Sequence, residues 1–585
     1  MRFPLPRVLP LLVVFAGAAA LAQEPSANLR QADADYREGV EALNRNDLKT
    51  AQLKFEAVVR LAPAAEQGHS ALGAVLVREG QWAAGTRELE KALSLKPNDS
   101  AAQLNLAMVY AQSGAPSRAI PLFQKLEAEA RGSQHPLNAT VLSAYARSLV
   151  QDGQTRRAIT EMKAAAAQER HNAELHDELG SLYALEKDWA PAEQEFSEAV
   201  RLKDDFAIAH LHLGIVLAAE EKPSAHDEWM KAYSLAPCDP AVALAVGKAL
   251  ADAGNDSEAV PVLEHAVELG PKSAEAAYQL ALVLQRVDRV PDAIDLLKKV
   301  VAAEPKNAGA LTNLGMGLAQ MHKAVDGIPF LKTAVTIVPD DPTAHQDLAA
   351  AYIQVNQIDD AVAELKIALK LSPDSPQLHY DLGTAYKLQD DATDAIPELE
   401  RAAKLNPGGY EAPYVLGLLY LQVGRYQEAA QQLEVSLKLH PQNGEGWSTL
   451  GSVYNKLDRL PEAASALRTA IEQIPDQSDS HLLLASVLVK QNNTAGAAAE
   501  RKVAADLMRK HMNLQRAEVA TNSGKSLLAS GKIDDAIVQF RDALSFDPGY
   551  AEAHLKLAEA LSKQGKTAEA AAERAQADKL IQRSQ

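Results

Sequence analysis

Over most of its length the chain repeats one arrangement of apolar and polar positions. In the stretch YEAPYVLGLLYLQVGRYQEAAQQLEVSLKLHPQN, Leu416, Leu419 and Tyr420 fall at i, i+3 and i+4, the spacing that gathers side chains on one face of an α-helix. A turn falls at Gly424-Arg425. Ala429, Leu433 and Ser436 then share one face of a second helix, and Pro441 follows its end, because proline lacks the N–H that a helix needs. The stretch predicts two short amphipathic helices packed against each other. The small residues Gly417 and Ala429 let them approach closely, and a bulky side chain at either place should overpack that contact, at about 1–3 kcal/mol.

The arrangement returns with a fixed step. Glycine or alanine stands at Gly247, Ala281, Gly315, Ala349, Gly383, Gly417, Gly451 and Ala485, each 34 residues after the last. Upstream the series runs through Gly39, Gly73, Ala107, Ala146, Gly180 and Gly214; downstream it reaches Gly524 and Ala558. Sixteen units therefore lie between Ala32 and Leu580, and all sixteen carry glycine or alanine at this site. A second small residue follows twelve places on, as at Ala259, Ala293, Gly327, Ala361 and Ala395, and proline twenty-four places on, from Pro271 to Pro475. One unit alone leaves its apolar face bare, so the core must form by stacking neighbours.

Counted from the start of the first helix, small residues recur at the eighth, twentieth and twenty-seventh positions and proline at the thirty-second, the units around Ala107, Ala146 and Gly180 lacking the proline. In these respects the chain resembles the tetratricopeptide repeat family, although the tryptophan usual in the first helix is mostly absent. The resemblance implies an all-α fold, a right-handed superhelical solenoid of about sixteen helix-turn-helix repeats whose first helices line a concave groove. By family position the groove residues would include Tyr278, Arg286, Gln346, Tyr380, Lys387, Tyr414 and Lys456. Aromatic anchors among scattered basic residues suit an extended peptide or an acidic segment. The tyrosines at the eleventh position, Tyr110, Tyr183, Tyr352, Tyr386, Tyr420 and Tyr454, belong to the core. The family's carboxylate clamp for chaperone C-termini needs asparagine at the ninth position; Met316, Ala350, Thr384, Leu418 and Ser452 stand there instead. An asparagine ladder at the sixth position is also missing, with Asn105, Asn313 and Asn522 isolated.

Three departures divide the array. The segment Arg131–Asn138 adds five residues and predicts a wider bend. One residue is lost at the turn Glu221-Lys222-Pro223. The third departure is a shared signature: the fourteenth and sixteenth units both read TAxAAAER in the second helix, placing Arg501 and Arg574 where leucine usually packs on the next unit. A polar face there suits a capping helix. The expected organisation is a leader over 1–22, a short linker over 23–31, units one to three over 32–133, units four to fourteen over 139–511, and units fifteen and sixteen over 517–584 with a C-terminal capping helix.

Composition narrows the function. The 108 alanines and the 5% aromatic content suit close helix packing rather than strands. A net charge of −18 disfavours nucleic acid and anionic membrane surfaces. The lone Cys238 excludes an intramolecular disulfide and any multi-cysteine metal site. The opening MRFPLPRVLPLLVVFAGAAALAQEP has Arg2 and Arg7, a short apolar run and the A-x-A site Ala20-Leu21-Ala22, which reads as a Sec-type signal of the bacterial kind cleaved after Ala22. The mature chain is then expected to be exported, periplasmic or secreted, without an integral span.

No catalytic constellation stands out. The fifteen histidines read as exposed helical residues rather than ligands: His210 and His212 point to different faces, and His226-Asp227-Glu228 lacks a matching cluster. Ser523-Gly524-Lys525-Ser526 lacks the earlier glycine of a phosphate loop, having Val519 there. The expectation is a non-catalytic, cofactor-free and metal-free scaffold of the cell envelope that binds protein or peptide partners. The alternatives are an assembly or export component of an outer-membrane or polysaccharide-secretion complex attached at the membrane periphery, and an accessory subunit of a separately encoded transferase or protease.

Overall fold

The structure, a computed structural model, describes residues 27–131 and 136–584. The expected leader and its cleavage site lie outside them, as does part of the Arg131–Asn138 insertion. Thirty-one α-helices and no strand are present among the described residues. The chain divides after Glu304 into two compact bodies. The first holds α1 (Ala27–Asn44) to α16 (Val290–Ala303), eight helix pairs; the second holds α17 (Ala308–Gln320) to α31 (Thr567–Ser584). The helix α1 starts at Ala27, so the expected linker over 23–31 is already helical in its second half.

Local chemistry explains each pair. The fifteenth residue of every unit has positive φ, from Asn46 to Gly565, and closes the turn between the two helices. Seven of these residues are glycine and six are asparagine or aspartate, the types that tolerate the left-handed region. First helices are opened by a side chain that accepts a backbone N–H: Asn307 from Ala310, Ser375 from Leu378, Asn443 from Gly446. The eighth-position residues meet the second helix of their own unit. A Cβ at Gly417 would stand 2.5 Å from Leu433 Cγ, and one at Gly73 2.7 Å from Leu89 Cγ. The twenty-fourth-position leucines thus pack inside their own unit rather than on the next, which corrects the expectation attached to Arg501 and Arg574; both arginines are exposed.

Two polar devices join elements across the stack. Five of the six eleventh-position tyrosines are buried, and Tyr183 is half-buried. Tyr420 Oη donates to Glu400 at 2.5 Å and Tyr454 Oη to Glu434 at 2.6 Å, each acceptor lying on the preceding unit's second helix. Burial and the facing carboxylate push both hydroxyls up to about 12, and Arg425 and Arg459 lie over the two rings.

The second device overturns the reading of the histidines as exposed. His69, His176, His210, His345, His379, His481 and His554 occupy the fourth position of their units, and four of them are buried. Nδ1 lies 2.5–2.7 Å from a glutamate of the same unit's second helix, and Nε2 3.0–3.3 Å from a carbonyl six residues earlier. Each ring thus has a carboxylate on one nitrogen and a backbone carbonyl on the other. Each such histidine ties two helices and the preceding loop together.

The largest departure from expectation is α28 (Thr494–Ala529). It runs for 36 residues through Met512–Arg516, where a gap between the fourteenth and fifteenth units was expected. The second helix of one unit and the first helix of the next are one rod, which is why sixteen units give thirty-one helices. The buried core does not follow the rod: one cluster runs from Ile328 to Ala497, and separate ones begin at Ala517 and Leu528. The lost residue at Glu221 leaves α12 (Ala225–Leu235) with eleven residues.

Candidate functional site

The residues singled out from the sequence fall in both bodies. Tyr278 and Arg286 lie on α15 (Ala274–Arg286) of the first. In the second, Gln346 lies on α19 (Pro342–Gln354), Tyr380 and Lys387 on α21 (Pro376–Leu388), Tyr414 on α23 (Glu411–Gln422) and Lys456 on α25 (Gly444–Lys456). Gln346, Tyr380 and Tyr414 share the fifth position of three consecutive first helices and are all half-buried. Lys387 is half-buried and Lys456 exposed.

The fifth position of one first helix meets the sixth of the next. Gln346 Nε2 donates to Asp381 Oδ2 at 2.6 Å, and Gln377 Nε2 to Asp381 Oδ1 at 2.8 Å. Burial pushes the Asp381 carboxyl up. One helix earlier, Asp347 makes no hydrogen bond or ion pair with any described residue; burial, with Asp341 adding repulsion, pushes it up to about 6. Burial also raises the Tyr380 and Tyr414 hydroxyls, with Glu411 and Asp381 beside the first and Glu445 beside the second. The two tyrosines therefore sit among carboxylates, not among the basic residues that the sequence pattern suggested. Arg286 is already engaged: its guanidinium holds Asp256 at 2.6–3.1 Å and donates to the Ala251 carbonyl at 3.2 Å.

Asp347 and Asp381 escaped the sequence reading because the sixth position was searched for asparagine. The signal available was an aspartate recurring one unit apart at that position. In the first body the same register is self-paired. Arg147 Nε donates to Glu178 at 3.1 Å and Ser143 Oγ to the same carboxylate at 3.2 Å, while His212 Nδ1 lies 2.8 Å from Asp177.

Among the described residues no group of three or more His, Cys, Asp or Glu is placed to hold a metal ion, and no helix is long and apolar enough to cross a membrane. Ser523-Gly524-Lys525-Ser526 lies within α28, and a Cβ at Gly524 would stand 2.5 Å from Phe540. Gly524 is a helix-contact residue. Cys238 is exposed.

Comparison with known proteins places this arrangement. Residues 76–141, 144–205 and 244–308 match tetratricopeptide repeat profiles, residues 524–565 match a TPR repeat profile, and residues 330–510 match the profile of the cilia and flagella-associated protein 70 C-terminal domain. Over 202 residues the chain is 30% identical to cellulose synthase operon protein C of Xanthomonas axonopodis pv. citri (strain 306); the match covers 34% of this chain and 13% of that protein. Among solved structures, the Cut9–Hcn1 hetero-tetramer of APC/C matches 78% of this chain and 96% of its own at 17% identity, with a TM-score of 0.35. YrrB, described as a TPR protein with an unusual peptide-binding site, matches 32% of this chain and 95% of its own at 20% identity, with a TM-score of 0.29. Repeats of this kind form protein-interaction scaffolds, generally non-catalytic, and bind protein partners. With its 34-residue step, its small-residue helix contacts and profile matches in both bodies, the chain belongs to the tetratricopeptide repeat family.

Proposed function

We propose that the protein is a non-catalytic scaffold of the bacterial cell envelope that holds an extended partner segment along the first-helix face of its second body. The observation that carries this reading is the pair Tyr380 and Tyr414, half-buried at one register on adjoining first helices, with the unanswered carboxylate of Asp347 on the first helix that precedes them. Rigid aromatic rings at a fixed spacing anchor a peptide at low entropic cost, and a desolvated carboxylate favours a partner that brings a cation. The segment is then a basic one, reversing the acidic partner suggested by the sequence. Photoreactive residues at Tyr380 or Tyr414 should crosslink a partner in cells, while the same residue at Ile367, an exposed position on a second helix, should not. A partner recovered at Ile367 and at neither tyrosine would exclude the groove.

A second reading makes the chain an assembly component of an outer-membrane polysaccharide-secretion complex. It is favoured by the partial likeness to cellulose synthase operon protein C. It predicts that the protein sediments with a membrane complex, whereas the simple scaffold stays in the periplasmic fraction. Export belongs to both readings, and a mature N-terminus at Gln23 would be its direct test. An accessory role beside a separately encoded transferase or protease requires that enzyme to co-purify.

A further inference from the structure

We infer that the outward face of the fourteenth unit is a second docking surface, which receives an acidic amphipathic helix from a partner protein. This lies beyond the groove reading and does not rest on it.

Inside the array, each unit's outward face is covered by the next unit's first helix. In the thirteenth unit the fifth-position Ser448 accepts from Ser480 of the next helix at 2.8 Å, and the twelfth-position Asn455 contacts Ser486 and Lys490. On the second helices, Ala430 and Ala464 at the twenty-first position are buried beneath the following unit. The fourteenth unit presents the equivalent residues to solvent. Leu482 is 40% and Val489 42% exposed on α27 (Ser478–Lys490), and Ala498 and Ala505 are exposed on α28. Met508 and Met512 continue the apolar surface along the rod, at 41% and 49%.

Among the described residues the chain does not cover this face itself. Its next first helix is the far half of α28, carried straight on. That half is polar at two positions where the preceding first helix is apolar: Ser523 and Ser526 are exposed at the seventh and tenth positions, where Leu484 and Val487 are buried one unit earlier.

The sixteenth unit offers a comparison, since it carries the same TAxAAAER helix. There Ser562 replaces Val489 and Asp578 replaces Ala505, and both are exposed. At these two positions the sixteenth unit is polar and the fourteenth apolar. Exposed apolar surface of this kind marks interaction sites.

Charge selects the occupant. Arg501, Lys502 and Lys510 flank the face without a salt bridge among the described residues, and Lys490 bonds only the neutral Asn455. Of the nearby acids, Glu500 faces His481 and Asp506 pairs with Arg509, which leaves Asp479. A second copy meeting this face with its own would oppose like charges, so a different protein supplies the helix, with acidic residues flanking an apolar stripe. A helix is the fitting shape because every interior copy of this face receives one.

The test uses the full chain and a fluorescein-labelled synthetic helix with a leucine stripe flanked by glutamates, beside a version with lysine for glutamate. Binding is compared with the double variant V489S/A505D, whose residues are those of the sixteenth unit and so keep the fold. The acidic helix should bind, weaken with salt, and lose about tenfold in affinity in the variant; the lysine version should not bind. Unchanged affinity in the variant, or equal binding of the two helices, overturns the proposal. So does a wild-type dimer that the variant abolishes, which assigns the face to a second copy. Anionic vesicles that sediment with the wild type but not the variant assign it to a membrane. Y380A/Y414A should leave this binding intact, so its failure and that of the groove are read separately.

Discussion

The first-helix faces of the two bodies use one register for opposite ends. On α7 (Ala139–Gln151), α9 (Ala173–Leu185) and α11 (Ala207–Ala219), both carboxylates in the ladder of fifth and sixth positions are met: Glu178 by the ninth-position Arg147, and Asp177 by His212 Nδ1. On α19 to α23 the ladder carries Asp347 with no partner among the described residues and Asp381 with amides alone. The backbone geometry is the same. What differs is whether burial of a charged group is answered within the chain. An answered ladder is a structural wall, and an unanswered one holds a group that a partner's cation would stabilise.

The largest effect should come from breaking the answered side. Arg147→Ala leaves the mostly buried Glu178 without a cation and with only the Ser143 hydroxyl donating to it, and chemical denaturation should show a loss of about 2 kcal/mol. A loss within 0.5 kcal/mol, roughly the size of a neutral surface change, would mean that the wall does not depend on this pair.

The unanswered side should respond with the opposite sign. With a folded pKa of about 6 against an ordinary 3.8, Asp347 binds its proton more tightly in the folded state. Between those values the folded form is protonated and the unfolded form is not, so its contribution is present at low pH and lost as pH rises through about 6. Asp347→Asn should therefore add about 1 kcal/mol at pH 8, with solvent screening the rest of the penalty, and nothing below the ordinary carboxylate pKa. It should weaken partner binding at the same time. A variant that is less stable at pH 8 would place Asp347 among the answered charges.

The smallest effect is expected at Lys456. The side chain is exposed, and Lys456→Ala should move stability by less than about 0.5 kcal/mol. Any loss of partner affinity there should vanish at high salt, which would separate a rim charge from the tyrosine anchors.

The repeats were open to sequence reading because their determinants are local and recurrent. Gly417 contacts Leu433 within its own unit, and the fifteenth-position residue closes its own turn, so each unit restates the rule. The continuity of α28 was missed for a different reason. The shared TAxAAAER signature pointed to a cap and a gap over 512–516, although no proline or glycine lies between Gly496 and Gly524 to end a helix. The histidines were misread because their partners sit about nineteen residues away on another helix, beyond any local pattern. Asp347 matters through its burial and its missing partner, and neither is a property of one sequence position.

The rod of α28 also fixes a length. Thirty-six residues at the α-helical rise span about 54 Å. Within the second body, the cores that begin at Ala517 and Leu528 stand off from the one that ends at Ala497 by a stretch of helix that belongs to neither. Anything held at the two ends of that rod is held at a set distance, as by a ruler, and its graduations are whole helical turns. Adding one turn would lengthen the span while nearly preserving the direction of each face; adding two residues would swing one end to the opposite side.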